Sequence, residues 1–270
     1  MMNKQEDIIH CLREIKRVRP LIHQITNFVT ANDCANVTLA IGASPVMTSD
    51  PSEVEEMVCH ARTLVLNIGT LQVRSLEAML LAGKKAASLG IPIIFDPVGA
   101  GATKMRTAAA AKIIKELPLT VIRGNMSEIK ILAGIGEGIK GVDSTAGYDG
   151  AQELAGVLSK QLNTVIAVTG PVDIIADGDS VTCIHNGHPL MASITGTGCM
   201  ATALTGCCAA VASPYIAALT GIAIMGIAGE VAYKLLRIED GEGLGSYRVR
   251  LIDAISNMIP ERIEDYVRIS

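Results

Sequence analysis

The chain has 270 residues, which suits one large α/β domain better than two independent ones. Hydrophobic residues make up 49% and charged residues 19%, so a large core can be buried, while a net charge of −4 gives nucleic acid or an anionic membrane no footing as a partner. Seven cysteines, an odd number without C-x-x-C spacing, argue against a disulfide framework or a zinc site. The N-terminus carries Lys4, Glu6, Asp7, Arg13 and Glu14 and lacks a signal peptide's apolar stretch, so a reducing cytoplasm is the expected compartment.

Along the chain, Pro45–Thr48, Thr63–Asn67, Pro92–Asp96, Thr120–Arg123 and Val165–Thr169 read as short buried strands. Helices are predicted between them near 32–42, 52–61, 70–89, 103–117, 126–133 and 147–161. This alternation implies a mostly parallel sheet covered on both faces, in one domain over 1–270. Asp173–Asp177 and Ser180–His185 read as an antiparallel hairpin at its edge. The pair Asn186-Gly187 is a strong turn signal and predicts a further strand from His188. His185 and His188, which flank that turn, read as solvent-facing turn residues rather than a metal pair. No Asp, Glu, Lys or Arg occurs from Ser180 to Gly229, yet Asn186-Gly187, Gly196, Gly198 and Pro214 interrupt the stretch. It is therefore read as a hairpin, a loop and two core helices, not a membrane span.

The polar residues concentrate where strands end. Asn67, Asp96, Arg123-Gly124-Asn125 and Thr169-Gly170 each fall at a predicted carboxyl end, the edge at which open α/β sheets bind ligands. Thr195-Gly196-Thr197-Gly198-Cys199 precedes an Ala/Gly/Thr-rich helix, and glycines at a helix N-terminus form an anion cradle. It is not a Walker A loop, since no Lys follows. Cys199 lies in that helix's first turn, a placement expected to lower a thiol's pKa. Asp96, which leads into Pro97-Val98-Gly99, and Glu128 are hard oxygen donors of the kind Mg²⁺ prefers. The pattern Asn125…Glu128 equally fits a helix capping box.

Taken together, Ile22-His23-Gln24-Ile25-Thr26-Asn27, Gly42–Met47, Asp96–Ala100, Arg123-Gly124-Asn125 with Glu128, Val168-Thr169-Gly170 and Gly196–Cys199 resemble the hydroxyethylthiazole kinase family of ribokinase-like enzymes. The resemblance runs from about residue 10 to 265, in order and in spacing. It implies a ribokinase-like fold, and transfer of a phosphoryl group from ATP, with Mg²⁺, to the alcohol of 4-methyl-5-(2-hydroxyethyl)thiazole. By matching position it assigns Asn27, Met47 and Gly196 to the thiazole alcohol, and Arg123, Thr169 and Gly198 to ATP. It likewise assigns Asp96 and Glu128 to the metal and Cys199 to the alcohol proton. It further implies a homotrimer with the thiazole pocket between subunits. Cys199 stands where most ribokinase-like enzymes carry Asp. Because phosphoryl transfer is largely positioning and charge stabilisation, a thiol that orients the alcohol and acts as a modest base suffices. The alternatives are a related kinase of a pyrimidine alcohol or sugar, a thiol enzyme pairing Cys199 with His23, and a non-catalytic nucleotide-binding protein.

Overall fold

The computed structural model describes residues 4–135 and 148–270. Eight strands form one sheet: β1 (Leu21–Ile25), β2 (Ser44–Val46), β3 (Thr63–Asn67), β4 (Ile93–Asp96), β5 (Val121–Asn125), β6 (Val165–Thr169), β7 (Asp173–Asp177) and β8 (Ser180–Ile184). Their order is β2-β1-β3-β4-β5-β6-β7-β8. The first six run parallel, and β7 and β8 close one edge as an antiparallel hairpin.

Strand periodicity separates the two cores. Leu64 and Leu66 of β3, with Ile93 and Phe95 of β4, face α3 (Val54–Val58), α4 (Val73–Ser88), α5 (Lys104–Glu116), α6 (Met126–Ile135) and α7 (Tyr148–Leu162). Val65 and Ile94 point the opposite way, into a layer of α1 (Lys4–Val18), α2 (Ala31–Ile41), α8 (Thr197–Ala209), α9 (Pro214–Lys234), α10 (Leu244–Ser256) and α11 (Pro260–Tyr266). Both sheet faces are therefore dry, which explains why these strands read as continuous apolar runs.

The charge-free region is a core, as the sequence predicts. Helix α9 is the one described helix long and apolar enough to cross a membrane, and 83% of its most apolar stretch is buried in the fold. Small residues let α8 sit between the sheet and α9. A Cβ at Gly206 would lie 2.4 Å from Val65 Cγ2, and one at Gly221 would lie 2.6 Å from the backbone nitrogen of Thr205.

The strand expected from His188 does not form. The chain instead makes a 3₁₀ turn over Pro189–Ser193, and Pro189 has no N–H to give a ladder. The outer edge of β8 is taken by the end of the chain: Cys183 N donates to Ser270 O at 2.9 Å, and Ser270 N to Cys183 O at 3.0 Å. Two elements carry weaker sequence signals, α1 and β1. The latter buries His23 and Gln24 at its centre, which breaks the apolar run a strand search depends on.

Candidate functional site

The carboxyl ends of β3, β4, β5 and β6 converge on the start of α8. Asn67 and Asp96 end neighbouring parallel strands in direct register. Asn67 Nδ2 donates to Asp96 Oδ2 at 2.9 Å, and Thr202 Oγ1, one turn into α8, donates to the same oxygen at 2.7 Å. Arg123 Nη1 lies 3.7 Å from that carboxylate, and Arg123 Nη2 donates to Thr169 Oγ1 at 2.5 Å. Among the described residues, Asp96 Oδ1 is buried without a hydrogen-bond partner.

Cys199 completes the group. Its Sγ accepts from Asn27 Nδ2 and from Asn67 Nδ2, each at 3.3 Å, and the two amides are joined by Asn27 Nδ2 donating to Asn67 Oδ1 at 3.0 Å. Asn67 is the member that sequence reasoning left out of the site, although its place at a strand end was legible. Arg106 was missed altogether. It donates to the carbonyls of Ile68 and Val98 at 2.6 and 2.8 Å and of Gly69 at 2.5 Å, pinning the loops that follow Asn67 and Asp96.

The glycine turn is built for close approach. Gly196 has φ 86°, the left-handed region, and a Cβ there would sit 2.4 Å from Thr30 Cγ2. A Cβ on Gly198 would lie 2.6 Å from Arg123 Nη1, so only glycine lets this guanidinium reach the helix start. The first amides of α8 are left without intrahelical acceptors and could receive an anion with the helix dipole behind them.

Electrostatics correct one expectation. The Cys199 thiol is pushed up, not down: burial raises it and the Asp96 charge adds to that, against hydrogen bonds from Thr30, Asn67 and Asn27. Desolvation and a neighbouring carboxylate thus outweigh the helix-start placement. Asp96 is pushed up to about 6 by burial, with Arg123 and the Thr202 hydrogen bond opposing.

The residues assigned to a metal differ in what they leave open. Glu128 Oε2 accepts from Asn125 N and Oε1 from Gly99 N, both at 2.8 Å, while Glu128 N donates to Asn125 Oδ1 at 3.0 Å. Asn125 and Glu128 therefore form a capping box, which also anchors the Gly99 turn behind Asp96. The free buried oxygen of Asp96 fits Mg²⁺, which takes one or two carboxylates together with substrate phosphates. Among the described residues no cluster of three His, Cys, Asp or Glu could cage a metal by protein alone. His185 is exposed and bonded to Ser270 Oγ, and His188 stacks on Tyr233.

Beside this network lies a cavity of about 560 Å³, lined by Arg123, Thr169 and Gly198 and, on its apolar side, by Met191, Ile222 and Met225. Asp173 also lines it and is pushed up to about 6 by burial, against a hydrogen bond from the Gly170 amide. Asn27, Met47, Gly196, Asp96, Glu128 and Cys199 are outside its lining. Met47 follows edge strand β2, beyond β1, where the buried His23 ring lies 2.8 Å from Thr48 O. His23 is thus committed to Thr48, and the side chains that reach Cys199 Sγ at 3.3 Å are amides, which leaves no base for a thiol nucleophile.

The model of the hydroxyethylthiazole kinase family matches residues 12–261. The chain belongs to the hydroxyethylthiazole kinase family. It is 52% identical to the hydroxyethylthiazole kinase of Alkaliphilus oremlandii, over 95% of this chain and 94% of that one. It is 49% identical to the enzyme of Thermoanaerobacter pseudethanolicus, over 96% and 97% of the two chains. Among solved structures, the hydroxyethylthiazole kinase protein of Pyrococcus horikoshii OT3 superposes with a TM-score of 0.90 at 40% identity, covering 98% of each chain. A pyridoxal kinase from Staphylococcus aureus in complex with ADP shares the fold alone, with a TM-score of 0.58 at 15% identity over 78% of this chain and 87% of that one. The family and its ribokinase-like fold are as the sequence resemblance implies.

Proposed function

We propose that this kinase transfers the γ-phosphoryl group of ATP to the hydroxyl of 4-methyl-5-(2-hydroxyethyl)thiazole, giving the thiazole monophosphate and ADP in thiamine salvage. The observation that carries this reading is the glycine turn at the start of α8, which separates a nucleotide-sized cavity from the Asn27–Asn67–Cys199 group. A phosphoryl group moving across that turn would pass from Arg123, Thr169 and Gly198 on one side to an alcohol beside Cys199 and Gly196 on the other.

In the reaction the alcohol oxygen bonds to the γ-phosphorus, the bond from that phosphorus to the bridging oxygen of ADP breaks, and the alcohol proton passes to an oxygen of the transferred phosphoryl group and from there to water. The amides at the start of α8 and the Arg123 guanidinium stabilise the spreading negative charge. Cys199, held by two asparagine amides, orients the hydroxyl; with its thiol pushed up by burial it is a neutral hydrogen-bonding partner throughout and takes no proton. Asp96, with Glu128 behind it, would hold Mg²⁺, which would supply charge neutralisation for the ATP phosphates. Asn27 and Met47 would contact the thiazole ring.

The reading includes a homotrimer in which a neighbouring subunit completes the thiazole pocket. Its support is apolar exposure next to Asn27 in the chain: Phe28 is 74% exposed and Val29 56%. It also includes one domain over 1–270, supported by the single eight-stranded sheet, and a cytoplasmic location. The test is ATP-dependent phosphorylation of the thiazole alcohol by purified protein with Mg²⁺, against a panel of sugar and pyrimidine alcohols. Preferential turnover of the thiazole supports the reading. Preference for another alcohol would move the protein to the related-kinase alternative, and folded protein that binds ATP but turns over no alcohol would sink the kinase reading.

A further inference from the structure

One wall of the cavity is made by Asn186, Gly187 and His188, a stretch after β8 with no helix or strand of its own. Something else must fix it, and the contacts lead to the end of the chain. Buried Asn186 is held at both ends of its amide: Nδ2 donates to Tyr266 O at 2.7 Å and to Glu230 Oε1 at 3.2 Å, and Oδ1 accepts from Arg268 N at 2.8 Å. Gly187 N donates to Glu230 Oε1 at 2.8 Å. Arg268 then closes the group, giving Nη1 to Glu230 Oε2 at 3.0 Å, Nη2 to Glu230 Oε1 at 2.6 Å, and Nη2 to His185 O at 2.7 Å. His185 N donates in return to Arg268 O at 2.8 Å.

Helix α9 supports the same wall from beneath. It carries Glu230, and its Tyr233 stacks on the His188 ring with centroids 3.7 Å apart. A Cβ on Gly226 would lie 2.8 Å from Asn186 Cβ, so the wall rests on bare helix backbone. A fork-to-fork Arg–carboxylate contact is directional, and here its carboxylate also accepts a wall amide. None of these groups belongs to the Asp96–Cys199 network.

We propose that Glu230 and Arg268 are a positioning pair for nucleotide binding, clamping the wall at 186–188 to the chain's last residues so that the cavity stands formed before ATP arrives. The proposal rests on the nucleotide reading of this cavity. A wall that must be ordered on binding lowers apparent affinity by the fraction of molecules in which it is formed. Coupling is reciprocal, so ATP in the cavity also tightens the tail.

The kinetic test uses the full chain with Arg268→Gln, Arg268→Lys and Glu230→Gln, varying ATP and alcohol separately. Arg268→Gln is expected to raise KM for ATP roughly 5-fold, the scale of one ordinary hydrogen bond because the Arg268 side chain is half-exposed, with kcat and the alcohol KM within about twofold. Arg268→Lys, which keeps the charge but not the fork, is expected to recover part of that loss. An unchanged KM for ATP, or a parallel shift of both KM values and kcat, overturns the proposal.

Hydrogen exchange on the unaltered chain gives a test independent of how the variants fold. A non-hydrolysable ATP analogue is expected to slow exchange at the amides of Cys183, His185, Gly187, Arg268 and Ser270. Protection at 197–200 without protection at the tail overturns the clamp and leaves the nucleotide reading standing. Absence of protection at both overturns the nucleotide reading, and the clamp falls with it.

Discussion

Asn67 and Asp96 sit opposite each other at the ends of adjacent parallel strands, and the Asn67 amide divides its two hydrogens between the Asp96 carboxylate and the Cys199 sulfur. One neutral side chain thus ties together a metal-ligand candidate and the thiol proposed to meet the alcohol. Replacing Asn67 with Ala removes both donors from buried acceptors. We expect kcat to fall by about 10- to 100-fold, equivalent to one or two charge-assisted hydrogen bonds, with little change in KM for ATP. Steady-state kinetics with the two substrates varied separately check this.

Asp96 ties activity and stability to pH in opposite senses. Its folded pKa, about 6, lies above the ordinary aspartate value of 3.8, so between these values the folded state holds more proton than the unfolded one. Its contribution to stability is therefore best at low pH and is lost as pH rises through about 6. The proposed mechanism uses Asp96 as the carboxylate, so activity should fall as pH drops through the same range. Asp96→Asn should abolish most turnover while melting no lower than the parent at pH 8. Asp173, raised to about 6 as well, remains in that variant and serves as an internal reference. Thermal melts and pH–rate profiles of parent and variant decide the matter.

Cys199 should be a slow nucleophile at neutral pH, because burial and the Asp96 charge both disfavour its thiolate. Its alkylation by iodoacetamide should lag behind that of exposed Cys59 and accelerate with rising pH. Site-resolved mass spectrometry measures both rates. Cys199→Asp should remain active, with its acid limb moved to higher pH, because a second carboxylate beside Asp96 makes each harder to ionise. Folded but inactive protein would end the equivalence of the two residues here.

The contact between α8 and α9 offers a test of stability apart from chemistry. Gly221→Ala would force a methyl to within 2.6 Å of the Thr205 backbone nitrogen, and backbone cannot turn aside as a side chain can. A loss of about 1–3 kcal/mol is expected from such overpacking, seen as a lower denaturant midpoint.

The apolar strands and the glycine turn are legible in the sequence because each is a local pattern. Val165–Thr169 is bounded on both sides, and Gly196-Thr197-Gly198 announces itself within three residues. What escapes depends on partners distant in sequence. The thiol of Cys199 is raised first by burial and then by Asp96, 103 positions away, and no local rule could set burial against a helix start. Asn186-Gly187 looks like a hairpin turn until the residues at 268–270 are seen pairing with β8. Strand β1 hides because His23 and Gln24 are polar, and only the fold shows that both are buried, with Gln24 donating to Thr38 Oγ1.

The packing of α8 has a consequence for how this kinase could be tuned. The helix runs from the glycine turn down between the sheet and α9, and Gly206, where an added Cβ would meet Val65 Cγ2 at 2.4 Å, lies about two and a half turns below Thr197. The turn therefore behaves as the tip of a wedge, not as a flap: its height above the sheet is set by how deeply the shaft is driven in. One methyl group added at that depth would lift the tip and change the spacing between donor and acceptor, with every residue around the substrates left as it is.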